Sequence, residues 1–577
     1  MRSIIRYFVL VSLVAPVLLG ADVLKPCQIP GIKGPAKCGQ IEVWENREAK
    51  SGRRIGLKVV VLPATGSPRA SDAIAPLGGG PGEAITEEAP YFAEQFEALR
   101  EHRDLLFVDQ RGTGGSHALE CDLYPNKDPQ TALGAFFPAA RVRECRAVLE
   151  KQADLRMYTT AAAADDLDEV RGILGYDRLD LCGGSYGTRA ALEFMRRHPD
   201  RVRVAVLSGV VPPTKPAPLE FPQNAQRAVE RIFDDCAADA ACHAAFPDLR
   251  GDLRAILAKT AAKPVAVDIL NPKNGETVHV TLSRNLLGEA IRYLMYQSAT
   301  GLYVPTLVHQ AATGDFAPLA EFALVQRLNL VNGLGGQGLY LSATCSEDLP
   351  FITPAAAARQ AANTFLGDYR YTDQRAACNE WARGAVPANS REPVRSQLPV
   401  LLVSGSWDPV TPARDADEVA ATLPHSVKVV IPAGGHGYNG IPGVDACLAS
   451  MVGSFVERGS TEGVDTACVR ALRRPPFPTK PVETKPVALT AEQLRALTGH
   501  YTGENGPPVD IVVRDGKLFA EIEGDPPPLL LVPVSPTRMR LLGRFGRYVE
   551  FDVQDGKAVG MTLGAGGNRP MVWKRSG

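Results

Sequence analysis

Net charge is almost absent from this chain: 63 basic residues stand against 64 acidic ones, a formal −1 over 577 residues. No basic field exists to gather a polyanion, which excludes nucleic acid as the expected partner. Cys-x-x-Cys and His-x-x-x-His clusters are missing too, so no zinc site is expected, and no other metal or cofactor. Beyond residue 19 no apolar run is long enough to span a bilayer. What is present, 45% hydrophobic and 22% charged residues, is ordinary for a soluble globular protein. The length exceeds one ordinary core and predicts two or three domains.

The N-terminus has the make-up of an export signal. Arg2 and Arg6 accompany an apolar run over 7–19, and the small residues Gly20 and Ala21 mark the expected cleavage region. A signal peptide is therefore expected over 1–21, with the mature chain secreted or periplasmic. Cys27 follows Lys25-Pro26 rather than a small-residue lipobox, so no membrane anchor is expected in the mature form. The eleven cysteines agree with an oxidising compartment. Ten of them fall as sequence neighbours and read as five local disulfides. These join Cys27 with Cys38, Cys121 with Cys145, Cys236 with Cys242, Cys345 with Cys378, and Cys447 with Cys468. Cys182 stands alone and reads as a buried thiol.

Cys182 leads into the stretch around which the rest is organised, Gly183-Gly184-Ser185-Tyr186-Gly187. Leu179, Leu181 and Cys182 read as the end of a buried strand. Behind the serine, Ala190, Ala191, Phe194 and Met195 recur at helical spacing. Strand, sharp turn and helix form the setting of the Gly-x-Ser-x-Gly elbow, which lifts a serine hydroxyl above a sheet. Strands at 41–43, 55–62, 73–77, 104–109 and 202–207, with a helix over 159–174, predict a mainly parallel sheet covered on both faces. From 212 to 391 helical patterns dominate, broken by one hairpin over 265–270 and 277–282. That is too much chain for a loop and reads as a cap inserted over the sheet's carboxyl edge. Strands at 399–404 and 427–432 resume the sheet.

The expected organisation is thus an α/β core over 22–211 and 392–473, a mainly helical cap over 212–391, a linker over 474–488 and a small antiparallel β domain over 489–577. Five prolines make the linker extended and semi-rigid. In the last domain Thr490-x-x-Gln493 is a capping box, and Asp515-Gly516 and Asp555-Gly556 are hairpin turns. No catalytic constellation is visible there.

Three groups carry the chemistry, in the order Ser185, Asp408, His436, each after a predicted strand. That is the chain order of the α/β-hydrolase triad. A serine hydroxyl is a poor nucleophile near neutral pH, so an imidazole must take its proton during attack and return it to the leaving group. Asp408 would fix the tautomer of His436 and stabilise the imidazolium. The oxyanion would be met by the backbone N–H of Tyr186 and one from the loop 78–82, assigned to Gly80. Other roles exist for these residue types: Asp408 before Pro409 can cap a helix, and His425 is the nearest competitor of His436. Asp109 and Arg111 read as a structural pair bracing the neighbouring loop.

Gly79-Gly80-Pro81-Gly82, Asp109-Gln110-Arg111-Gly112-x-Gly114-x-Ser116 and Gly183-Gly184-Ser185-Tyr186-Gly187 resemble the proline iminopeptidase and tripeptidyl aminopeptidase group of serine peptidases. Cys345-Ser346-Glu347-Asp348, Cys378-x-x-Trp381, Gly405-x-x-Asp408-Pro409-Val410-Thr411-Pro412 and Gly435-His436-Gly437 resemble its tripeptidyl-aminopeptidase-like branch. Gly78 stands where the proline iminopeptidase pattern usually has a histidine. The resemblance implies release of single residues or short peptides from a substrate with a free N-terminus. Carboxylates under the cap would then meet the ammonium, with Glu347 and Asp348 as candidates. A solvated acidic loop beside the pair Cys345 and Cys378 is the other role open to them. A carboxylesterase with the same triad and a catalytically inactive binding protein are the competing readings.

Overall fold

The structure is a computed structural model and describes residues 23–124, 128–333, 336–503, 506–522, 525–564 and 570–576. The expected signal peptide over 1–21 lies outside the described residues.

Among the described residues eleven strands precede the C-terminal region: β1 (Lys25–Cys27), β2 (Ala36–Trp44), β3 (Arg54–Leu62), β4 (Ala73–Leu77), β5 (Asp104–Val108), β6 (Leu179–Gly184), β7 (Val202–Ser208), β8 (Val265–Leu270), β9 (Thr277–Leu282), β10 (Val400–Gly405) and β11 (Ser426–Ile431). Nine of them form one sheet in the order β1-β2-β3-β5-β4-β6-β7-β10-β11. β1 to β3 and the β3–β5 pair are antiparallel, and every pair from β5 through β4, β6, β7 and β10 to β11 is parallel. This is the α/β-hydrolase fold.

Side chains alternate across the sheet, as the period of two requires. Val59, Val61, Val400 and Leu402 join one core with Leu167 and Val170 of the helix Thr160–Ile173 and with Phe194 and Met195 of the helix Tyr186–Arg197. Val60, Leu62, Leu401 and Val403 face the other way, onto Met451 and Phe455 of the helix Val444–Arg458. β4 and β10 are buried along their whole length because helices cover both faces. Asp109 and Arg111 do not pair with one another. Asp109 accepts from the N–H and hydroxyl of Thr86 and from the Gly115 N–H, while Arg111 forks onto Asp166 at 2.6 and 2.7 Å.

Between β7 and β10 the chain leaves the sheet. Helices such as Phe221–Ala237, Arg284–Leu294, Val304–Ala312 and Ala317–Gly333, with the hairpin β8–β9, build a separate apolar core that also takes in Trp407 and Phe477, whereas the helix Gln337–Glu347 puts Leu339 and Leu341 into another, with Leu149 and Trp381.

All five expected cysteine pairs are joined as disulfides. Cys27 bonds to Cys38 and so ties β1 to β2, while Cys121 bonds to Cys145 at the helix Ala139–Leu149. Cys236 bonds to Cys242 across a turn between two helices, and Cys345 to Cys378 across two others. Cys447 bonds to Cys468, which pins the helix Val444–Arg458 to the short helix Ala467–Ala471. Cys182 is buried and free.

The proline-rich stretch lies against the helices above the sheet. Phe477 stacks on Trp407 with centroids 6.0 Å apart, and the Val482 N–H donates to Gln310 at 2.9 Å. After a short helix, Ala491–Leu497, opened by the capping box of Thr490 and Gln493, eight strands close into a barrel. They are β12 (Gly499–Gly503), β13 (Val509–Arg514), β14 (Lys517–Ile522), β15 (Asp525–Pro533), β16 (Arg538–Leu541), β17 (Tyr548–Gln554), β18 (Lys557–Gly564) and β19 (Met571–Arg575). Antiparallel pairing of β12 with β19 seals it. Asp515-Gly516 and Asp555-Gly556 all have positive φ, between 48° and 74°, as tight hairpin turns demand.

The barrel docks on the helix Ala317–Gly333. Val325 packs with Phe519, Leu530, Val532 and Leu542, and Arg540 forks onto the buried Glu321 at 2.8 and 3.1 Å. Among the described residues no helix is long and apolar enough to cross a membrane, and no cluster of His, Cys, Asp and Glu could hold a metal ion.

Candidate active site

Ser185 sits at the junction of β6 and the helix Tyr186–Arg197, with φ 53° and ψ −123°. A non-glycine residue in this region is strained and survives only where its surroundings impose it. The two motif glycines impose it. A Cβ on Gly183 would lie 2.5 Å from the carbonyl oxygen of Gly187, and one on Gly187 would lie 2.2 Å from that of Leu77. The turn is further tied by the Ser185 N–H donating to the Ser208 carbonyl at 2.9 Å and by the Thr188 hydroxyl donating to the Ser185 carbonyl at 2.6 Å.

Asp408 and His436 lie in the loops after β10 and β11. Asp408 Oδ2 is 2.9 Å from His436 Nδ1. The same carboxylate accepts from the Val410 and Thr411 N–H groups at 2.8 and 2.9 Å and from the Thr411 hydroxyl at 2.7 Å. Burial works against its charge, but the imidazole and these donors outweigh it and hold the Asp408 carboxyl below its usual range. For His436 burial pulls the pKa down, yet the Asp408 charge and hydrogen bond, with a contribution from Glu83, leave it raised. Tyr296 closes over the ring edge-on, with centroids 5.2 Å apart. Thr411 is a residue that sequence reasoning missed. Its hydroxyl also lies 3.0 Å from His436 Nδ1, so it bridges both partners.

Ser185 and His436 line one cavity of about 550 Å³ between the sheet and the helices above it. No direct hydrogen bond joins them among the described contacts; in unliganded sites such bonds are commonly long and tighten on substrate binding. Gly80 and Tyr186 line the same cavity. Their backbone N–H groups have no hydrogen-bond partner among the described residues, whereas the neighbouring Gly79 N–H donates to Glu83 at 2.7 Å.

The two carboxylates expected to meet an ammonium are already engaged. Glu347 does not line the cavity. It accepts from the N–H and the hydroxyl of Thr160, both at 2.6 Å, at the start of the helix Thr160–Ile173, where a helix terminus favours negative charge. Burial nevertheless pushes its pKa up to about 7. Asp348 does line the cavity, but it is paired with Arg189 at 2.8 Å and accepts from the Ala217 N–H. Glu83 and Glu88 are exposed on the cavity wall and make no ion pair among the described residues. Burial, helped by the charges of Glu83 and Glu87, raises the pKa of Glu88. A chain distance of more than 250 residues separates these acids from Glu347, so no local pattern could rank them against each other.

Residues 77–268 match the family model described as alpha/beta hydrolase fold, and residues 363–468 the one described as TAP-like protein. The chain is similar to serine protease Hip1 of Mycobacterium tuberculosis, 31% identical over 229 residues, which is 37% of this chain and 44% of the relative. Tripeptidyl aminopeptidase of Streptomyces lividans is 29% identical over 199 residues, covering 31% and 36%. Carboxylesterase B of Mycobacterium tuberculosis is 31% identical over 233 residues, covering 37% and 43%. The chain spans less than half the length of these curated relatives.

Proposed function

For an α/β-hydrolase chain similar to the tripeptidyl aminopeptidases and carrying a C-terminal β barrel, we propose a serine hydrolase, exported from the cytoplasm, that cleaves peptide bonds near a free N-terminus. One observation carries the reading: a buried Asp408–His436 pair opens into the same cavity as a serine held at φ 53° behind two glycines. Asp408 accepts from Nδ1–H and leaves Nε2 as the base. His436 takes the Ser185 proton as the oxygen attacks the scissile carbonyl. The N–H groups of Gly80 and Tyr186 receive the oxyanion, a contribution of about 3–4 kcal/mol for each donor. The imidazolium then protonates the departing amine, and water hydrolyses the acyl-enzyme ester by the same relay.

Glu83 and Glu88, crowded and without a cation, are the carboxylates we assign to the substrate ammonium, in place of Glu347. Asp348 stays a candidate only if Arg189 turns away from it. Five disulfides support export. Similarity to carboxylesterase B favours a second reading, hydrolysis of small acyl esters by the same groups. Two measurements separate these. Fluorophosphonate labelling tests whether Ser185 is a nucleophile, and an unlabelled serine makes the chain a binding protein. Mass spectrometry of products from peptides with free and blocked N-termini, run beside acyl esters, tests the specificity. Equal turnover of free and blocked peptides removes the exopeptidase reading.

A further inference from the structure

At and behind one wall of the active-site cavity, the wall lined by Arg292 and Arg370, buried cations stand in excess of their counter-charges. Arg292, Arg327 and Arg370 are 1%, 5% and 3% exposed. Among the described residues one buried carboxylate stands with them, Glu289, and it is taken by Arg292, which meets it in a fork at 3.0 and 3.1 Å. Arg370 reaches Glu289 only at 3.9 Å, through an Nε that makes no hydrogen bond. Its one described side-chain hydrogen bond is a long one, from Nη2 to the Tyr340 hydroxyl at 3.3 Å. Arg327 has no ion pair among the described residues and donates to the Gly134 carbonyl. Asp373, on the same helix as Arg370, is spent on the Phe136 N–H and makes no ion pair among the described residues either.

The two under-compensated guanidiniums converge on one ring. Arg370 lies 3.7 Å and Arg327 4.8 Å from the Phe136 centroid. Phe136, Tyr340 and Arg370 all line the cavity that holds Ser185 and His436. A buried charge without a close partner is costly, and chains keep such groups paired or use them to receive a charge. A planar guanidinium backed by an aromatic ring, with free N–H groups facing a cavity, suits a carboxylate. The ring supplies polarisable contact and prevents the arginine from folding away into solvent.

We propose that Arg370, seated on Phe136 and supported by Arg327, forms an anionic subsite that receives a carboxylate carried by the substrate. This rests on the hydrolase reading above and sharpens it. The substrate is an acidic peptide, with Asp or Glu near the scissile bond. The same excess of positive charge keeps the substrate ammonium away from this wall and leaves it to the exposed carboxylates Glu83 and Glu88.

Tripeptide p-nitroanilides in matched pairs, Glu against Gln at the second and at the third position, next to the bond cleaved, test this. The full chain is expected to favour Glu about tenfold or more in kcat/KM in one of the two series, as a charge-assisted hydrogen bond implies. In Arg370→Met that ratio falls to near one, and Arg370→Lys, which keeps the charge, retains part of it. Equal rates on Glu and Gln in both series overturn the subsite, and so does an undiminished ratio in Arg370→Met. If Arg370→Met does not fold, Arg370→Gln carries the same readout. Ser185 labelling by a fluorophosphonate, measured alongside, keeps the two ideas apart. An unlabelled wild-type serine sinks the hydrolase reading, whereas a labelled serine with no charge preference sinks the subsite alone.

Discussion

The carboxylate of Glu347 receives both the N–H and the hydroxyl of Thr160 at 2.6 Å, across 187 positions of chain. The same hydroxyl lies 2.7 Å from the phenol of Tyr186, the residue next to Ser185. Glu347 therefore braces the elbow from behind. Its pKa, raised from 4.5 to about 7 by burial, means that the folded chain binds this proton more tightly than the unfolded one. The stability it contributes is complete below about pH 4.5 and is lost as pH rises through about 7. Glu347→Gln removes that dependence, so the melting-temperature difference between wild type and variant should shift against the wild type over this window. A difference that is flat with pH would contradict the assignment.

Thr411 touches both Asp408 and His436 through one hydroxyl. Thr411→Val removes a donor from a buried carboxylate, which costs about 1–3 kcal/mol. The expected result is a kcat lower by roughly tenfold or more with KM little changed. Asp408→Asn is expected to be far worse, a loss of about 10⁴ in kcat, because the wrong tautomer of His436 is then held. Steady-state kinetics on one chromogenic substrate compares the two.

His436 must be neutral to act as a base, so kcat/KM should rise with pH through its pKa. Burial lowers that pKa, and the charges of Asp408 and Glu83 more than restore it. Glu83→Gln removes one of the raising charges, and the acid limb should move to lower pH. The same variant loses one of the two carboxylates assigned to the ammonium, so KM for free N-termini should rise while that for blocked esters does not. Full pH profiles on both substrate types check this.

Much of the site was legible because its signals are local. The apolar residues Leu179, Leu181 and Cys182, the paired glycines and the helical spacing after Ser185 lie close together along the chain, and the structure repeats them as β6, the strained turn and a helix. The cysteine pairs were legible on the same ground, since Cys38, Cys145, Cys242 and Cys468 each bond to the cysteine that precedes them in sequence. So were the hairpin turns at Asp515-Gly516 and Asp555-Gly556, where positive φ at two successive positions leaves few residue choices. Barrel closure was not legible, because it depends on Tyr501 meeting Arg575 from the far end of the segment. The engagement of Glu347 by Thr160 and the crowding of arginines on Phe136 were equally hidden. Each joins residues far apart in sequence whose facing depends on how helices settle against one another.

Arg540 and Glu321 form a buried fork between the barrel and the helix Ala317–Gly333. Removing one partner strands the other charge. Arg540→Met should destabilise by about 3–5 kcal/mol, while Glu321→Leu combined with Arg540→Met should recover much of the loss. Thermal unfolding of the three proteins measures it. Equal stability of the single and double variants would show that the fork does not hold the barrel.

The same docking surface decides how the molecule can be cut. A fragment stopped before residue 474 would uncover Val325, leave Glu321 without its guanidinium and strip Phe477 from Trp407. Such a piece would carry a greasy, charged scar on the helices above its own Ser185 cavity. Anyone trimming the chain to obtain a minimal enzyme should expect a sticky product, and the barrel has to travel with the rest.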